Sequence, residues 1–118
     1  MKNWNEKLSK AVEQKSLFCI KRCLFNGADI HYNNDNTIDK LSGGGCLNII
    51  EYLFEKYDFT IDALNNSLIS AVYMNHIDVV VFLIEHGANL HKKHEYIMRH
   101  AFTYKHYDMI TILLKYNA

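Results

Sequence analysis

The sequence predicts an all-α solenoid of four helix-turn-helix units joined by short inter-repeat loops. Three observations lead there. Residues 68–91 (LISAVYMNHIDVVVFLIEHGANLH) lie over residues 8–31 (LSKAVEQKSLFCIKRCLFNGADIH) without a gap, at an offset of 60. Ala11 falls on Ala71, Val12 on Val72, Gly27 and Ala28 on Gly87 and Ala88, and His31 on His91. Half that offset works as well, placing Ala71 on Ala101, His76 on His106, Asp78 on Asp108 and Leu83 on Leu113. Within every unit the apolar residues keep helical spacing, and a unit of this size cannot bury its apolar face alone. The units therefore stack to share one core.

In the first unit, Leu8, Ala11 and Val12 mark a short amphipathic helix, and a turn leads into a second helix that Gly27 ends. Lys7, Lys10, Lys21 and Arg22 give this unit a polar outer face, with Arg22 standing where the others carry Tyr52, Phe82 and Ile112. Such a face suits a terminal cap, so Met1 reads as a true start. In the second unit, Ile38, Leu41, Leu47, Ile49, Ile50, Leu53 and Phe54 keep the phase. Gly43, Gly44 and Gly45 are expected to shorten its first helix, since each costs about 1 kcal/mol relative to Ala. Tyr57 and Asp58 replace Gly-Ala, so its second helix must stop by another geometry, and this joint is expected to be the most mobile. The third unit repeats Leu68, Ala71 and Val72, then a second helix over residues 76–86 with the stripe Ile77, Val80, Leu83 and Ile84. Asp78 sits in that helix's first turn, where it complements the dipole, and Gly87 ends it. The fourth unit has Met98, Ala101 and Phe102, then stops mid-motif at Tyr116, Asn117 and Ala118. Its Tyr107, Leu113 and Leu114 are unrelieved by charge, so either further repeats are missing or this end packs against another chain. The whole is read as a single domain over residues 1–118, with units of about 5–34, 35–64, 65–94 and 95–118, the last incomplete.

Residues 67–90, SLISAVYMNHIDVVVFLIEHGANL, resemble the ankyrin pattern PLHLAA-xx-GHLEVV-xx-LLxxGADV. Leu68 takes the Leu of its opening T-P-L-H, Ala71 the first Ala, His76 the His after the turn, and Gly87, Ala88 and Asn89 the GAD. Asn26, Gly27, Ala28, Asp29 and Ile30 match that last motif more closely. The resemblance implies an ankyrin-repeat solenoid over nearly the whole chain. The opening T-P-L-H is missing from all four units, with Asn66-Ser67-Leu68-Ile69 and Tyr96-Ile97-Met98-Arg99 in its place. The period of 30 is also shorter than the usual ankyrin repeat of about 33 residues. The missing residues fall between units, where ankyrin proteins carry a β-hairpin finger, so blunt loops with little or no β-structure are expected. Proline-poor, shortened repeats of this kind are similar to the ankyrin proteins of giant amoeba-infecting DNA viruses (mimivirus-like), and Asn, Ile, Lys, Tyr and Phe usage suggests an AT-rich genome.

Charge excludes several function classes. Thirteen basic and thirteen acidic side chains cancel, and each half is balanced, so no basic pole exists to draw in nucleic acid or an anionic membrane. The longest apolar runs are too short to span a bilayer, and the first residues carry no apolar core like a secretory signal. Three cysteines, an odd number, imply no disulfide framework, which suits an intracellular setting in the cytoplasm, the host's if the chain is viral.

No constellation for catalysis emerges, and neither enzyme activity nor any cofactor is expected. Cys19-x3-Cys23 has helical spacing that could contribute to a zinc site, but Cys19 aligns with Ile49, Val79 and Met109, and Cys23 with Leu53, Leu83 and Leu113. Buried thiols without metal are the expected outcome. His91-x2-His94 is at most half a metal site, and Ser42-Gly43-Gly44-Gly45 lacks the spacing of a phosphate loop.

The function implied by the ankyrin resemblance is non-enzymatic protein binding, through a groove formed by first helices and loops. Carried over by position, the protein-binding residues are Glu13 and Gln14, Gly43 and Gly44, Tyr73 and Met74, and Thr103 and Tyr104, with His31, Tyr32, Lys92 and Lys93 from the loops. Tyr73 and Tyr104 are either interface residues or packing over neighbouring helices. The alternative is a structural protein that self-associates, as a homodimer through its fourth unit. A Cys/His metal protein and an evolutionary remnant without a partner are further alternatives.

Overall fold

The computed structural model describes residues 3–90 and 93–116, through which eight helices run and no strand. They are α1 (Trp4–Glu13), α2 (Leu17–Phe25), α3 (Tyr32–Gly43), α4 (Leu47–Lys56), α5 (Ile61–Tyr73), α6 (Ile77–Glu85), α7 (His94–Thr103) and α8 (Tyr107–Lys115). First helices α1, α3, α5 and α7 pack side by side in one layer, with their partners α2, α4, α6 and α8 behind them. The result is a stack 47 Å long and 23 by 21 Å across. The loops between units are short and blunt over the described residues, as the missing residues require.

All four first helices stop in the same way. Lys15, Gly45, Asn75 and Lys105, spaced 30 apart, take φ of 54°, 72°, 60° and 59°. The following amide then donates back across the last turn, from Ser16 to the Ala11 carbonyl, Cys46 to Leu41, His76 to Ala71 and His106 to Ala101, at 2.9–3.1 Å. This Schellman closure caps the orphan carbonyls of each helix. Gly27 and Gly87, at φ of 100° and 101°, close α2 and α6 by the same motif. Tyr57 cannot take that conformation cheaply and instead leaves α4 with extended backbone, φ −135° and ψ 153°.

The expected shortening of the first helix in unit two does not occur. α3 runs to Gly43, the same register at which α1, α5 and α7 close at Glu13, Tyr73 and Thr103. The three glycines fall on the last turn, the cap and the left-handed turn, so little helix interior is lost. The opposite end of α3 is the irregular one. Asn33, Asn34 and Asp35 all take left-handed φ, from 56° to 60°, before regular helix begins. Asn and Asp are the side chains that tolerate this conformation best.

A second tie recurs at every other unit. The Asn5 side-chain carbonyl accepts the Asp29 amide, and that of Asn65 accepts the Asn89 amide, each at 2.8 Å. Both bind the start of a first helix to the loop after its partner. In unit two the same position is Asp35, which pairs with His31 instead.

The core runs the length of the stack through Leu8, Ile38, Leu41, Leu53, Leu68 and Leu83, all at most 1% exposed. Leu113 belongs to it too, fully buried, and so does not share the uncovered face of unit four with Tyr107 and Leu114, which are 59% and 62% exposed. Cys23 and Cys46 are buried, whereas Cys19, expected at a core position alongside Ile49, Val79 and Met109, is only half-buried. Burial, the largest effect at both, raises the Cys23 and Cys46 thiols above their ordinary range; the neighbouring Cys19 adds to the rise at Cys23. Alkylation of the folded protein at neutral pH is expected to label Cys46 far more slowly than the urea-unfolded chain, read by mass spectrometry. Equal rates would refute the packing described.

Ser67 is fully buried between first helices, and its hydroxyl finds no hydrogen-bond partner. Replacing Ser67 by Ala removes an unsatisfied polar group and is expected to stabilise the protein by about 1 kcal/mol, measured by urea unfolding. A loss of stability would mean that the hydroxyl is bonded after all.

Candidate protein-binding groove

The exposed stripe of a first helix recurs every three to four residues, so a groove along this layer is lined from several turns at once. On α5 that stripe is Asn66, Ile69, Ser70 and Tyr73. Against α7 it bounds a cavity of about 430 Å3, walled by Ile69, Tyr73, Lys93, Tyr96 and Ile97. Against α3 it bounds a second cavity of about 250 Å3, whose walls include Asn34, Asp35, Asp39, Asn66, Ile69 and Lys93. Ile69 and Lys93 belong to both, so the two hollows are neighbours in one groove. A shallower hollow of about 160 Å3 continues along α7 past Tyr96, Arg99, His100 and Tyr104.

The first hollow is apolar and aromatic. Tyr73 stands edge-on to His100, with ring centroids 4.2 Å apart, and to Tyr96 at 6.3 Å. Tyr104 joins them through His100 at 4.6 Å. Hydrogen bonding with Tyr96 is the main influence on the Tyr73 phenol, which it raises above the ordinary tyrosine range. The rings contact one another in edge-to-face and tilted arrangements that aromatic pairs favour.

The second hollow is polar. Asp35 and Asp39 lie one turn apart, and the left-handed run of residues 33–35 carries Asn34 and Asp35 into the wall. His31 Nδ1 lies 2.5 Å from Asp35 Oδ1, and the Ser70 hydroxyl donates to Asp39 Oδ1. Lys93, at the head of α7, enters no ion pair among the described residues.

Only part of the residue set expected from the sequence gathers here. Tyr73 and Lys93 share a cavity, and Thr103 and Tyr104 line the shallow continuation. Tyr73 both packs over its neighbouring helix and faces the groove. The Thr103 hydroxyl is bonded to the Arg99 carbonyl of its own helix. Glu13 lies at the other end, paired with Lys40 at 3.7 Å, and Gln14 is an exposed helix cap beside it. Gly43 packs near Met74, which is itself 61% exposed, while Gly44 caps α3 and its carbonyl accepts a bond from the Lys15 ammonium. His31 turns its ring edge towards Phe59, 5.4 Å away, and Tyr32 is exposed. Lys92 lies outside the described residues. Asp35, Asp39, Asn66, Ile69, Tyr96 and His100 went unread, although several lie one or two helical turns back from Tyr73 and Thr103 on the same face.

Among the described residues, no three His, Cys, Asp or Glu side chains converge in a way that could hold a metal ion, and no helix is long and apolar enough to cross a membrane.

A family model for ankyrin repeats, three copies long, matches residues 8–94 and again residues 41–118. The chain belongs to the ankyrin repeat family. The search of curated proteins gives no significant match. Ankyrin repeats are generally protein–protein interaction modules, and ankyrin repeat proteins are generally non-enzymatic. The layered helix pairs and the regular left-handed turns here are those of an ankyrin stack, with the opening turn of each repeat altered and no β-finger among the described residues.

Proposed function

We propose that this ankyrin stack binds a partner protein in the groove along α3, α5 and α7, with Tyr73, Tyr96 and Tyr104 as its apolar wall. The observation that carries this reading is the pair of adjoining hollows on the first-helix layer, one aromatic and one polar, sharing Ile69 and Lys93. Interface cores are enriched in Tyr, and hot spots sit in such lined hollows. The free thiols and the resemblance to giant-virus ankyrin proteins support a host protein in the cytoplasm as the partner. In quantitative affinity capture from host-cell extract, Tyr73→Ala and Tyr104→Ala should each weaken recovery of the partner by more than about 1 kcal/mol. Retention equal to that of the unaltered protein, with both variants folded, would sink this assignment.

Self-association is a second reading, favoured by Phe102, Tyr107 and Leu114 on unit four, which are 57%, 59% and 62% exposed. Val72, the counterpart of Phe102 one unit earlier, is fully buried. Sedimentation that shows a monomer at all concentrations would dispose of it.

A further inference from the structure

We infer that the groove selects an extended partner segment carrying a large apolar side chain and, two residues away, a lysine or arginine. This rests on the groove reading above and specifies the chemistry of its occupant. The apolar side chain fills the hollow walled by Ile69, Tyr73, Tyr96 and Ile97, whose volume of about 430 Å3 accommodates an aromatic ring. The cation sits in the adjoining hollow against Asp35 and Asp39.

Charge decides the second half of the pattern. Asp35 is only 17% exposed at its side chain, and Asp39 is half-buried. A segment lying over the groove strips the remaining water from both carboxylates, which is costly unless a positive charge arrives with it. Among the residues that line the hollow, Lys93 is the one cation beside two carboxylates, and His31, bonded to Asp35 from outside that lining, adds a charge only when protonated. With His31 neutral the wall carries a net single negative charge that one further cation balances. An acidic segment would instead face two carboxylates at close range and be rejected.

Geometry decides the spacing. The hollows share Ile69 and Lys93 as walls, so their occupants are neighbours on one face of the bound segment. In an extended chain, side chains on the same face are two residues apart, separated by about 7 Å. The side-chain amides of Asn34 and Asn66 line the same stretch and can both donate to and accept from an extended backbone. The order in which the apolar and basic residues follow one another is left to the partner.

The test uses the full chain, immobilised and exposed to a displayed library of random 12-residue peptides, followed by titration of the selected peptides in solution. The expected result is enrichment of an aromatic or branched aliphatic residue two positions from Lys or Arg. Replacing that basic residue by glutamine in the peptide, which leaves the protein untouched, should weaken binding about tenfold or more. Asp35→Asn and Asp39→Asn, each with its melting checked, should do the same, and Tyr96→Ala should lose the apolar preference. Selected peptides that depend on Tyr73 and Tyr96 but carry no basic residue, or tolerate its removal, would overturn the inference while leaving the groove in place. No enrichment, or peptides indifferent to every groove substitution, would overturn both.

Discussion

Gly45→Ala is expected to destabilise the protein by about 2–4 kcal/mol, through strain in the backbone and overlap with a neighbour. Gly45 turns the chain from α3 to α4 at φ 72°, and a Cβ there would come within 2.5 Å of His76 Nδ1 and 2.7 Å of Cε1 in the next unit. The imidazole stem is short, and the His76 backbone is held by the hydrogen bond that its amide donates to the Ala71 carbonyl at the close of α5, so the overlap is relieved only by a change of the ring's rotamer. The other units hold Lys15, Asn75 and Lys105 at the matching turn, so positive φ alone is tolerable; the contact with His76 sets Gly45 apart. Two controls separate the contributions. Gly45→Asn should relieve part of the backbone strain but keep the overlap, since Asn accepts left-handed φ more readily. His76→Ala in the Gly45→Ala background should recover part of the loss, giving a measurable coupling in a double-mutant cycle. Urea midpoints read all five proteins, the His76→Ala single variant of the cycle included, and a Gly45→Ala variant as stable as the parent would show that the turn is not packed as described.

Leu68→Ala is expected to cost about 3–4 kcal/mol, within the usual range for a fully buried Leu. Leu68 is fully buried on α5, which packs against α3, α6 and α7, so its side chain supports a unit with neighbours on both sides. In a repeat stack, stability is the sum of weak units and the interfaces between them, and an interior unit contributes to two interfaces. Leu114→Ala, at a side chain 62% exposed, serves as the control and should change stability by under about 0.5 kcal/mol. Similar losses for the two variants would contradict the assignment of which residues form the core.

Much of this architecture was legible because it repeats. The 30-residue register gave α1 through α8 their order, put Cys23 at a Leu position inside the core, and identified Gly27 and Gly87 as helix terminators. It also foretold that Tyr57 would need a different exit, which the extended backbone there supplies. Register was less informative where a residue answers to another unit. Ser42, Gly43, Gly44 and Gly45 read together as a flexible stretch, yet Gly45 is required by the ring of His76, thirty-one residues away. Asn33, Asn34 and Asp35 gave no warning of a left-handed turn, because each tolerates that conformation without demanding it. The lining of the candidate groove was legible only in part. Selecting only the last residue of each first helix found Tyr73 and Thr103, but the same face continues back through Ile69 and Asn66, and through Arg99 and Tyr96. The helical periodicity that marks the buried stripe marks this exposed one too, and it runs through Ile69, Asn66 and Tyr96. Asp35 lies outside that pattern, since only the irregular start of α3 brings it into the wall.

The alternating asparagine ties carry a mechanical consequence. Units one and three are each clamped by a side-chain bond from the start of the first helix to the loop beyond the second, and the matching carboxylate of unit two is engaged by His31. Under tension between its ends the stack would behave as two stiffer segments in series with a softer spring, and the linker at residues 57–60 would extend first. A partner lying across α3, α5 and α7 bridges that spring, so occupancy of the groove would raise the force at which the molecule yields.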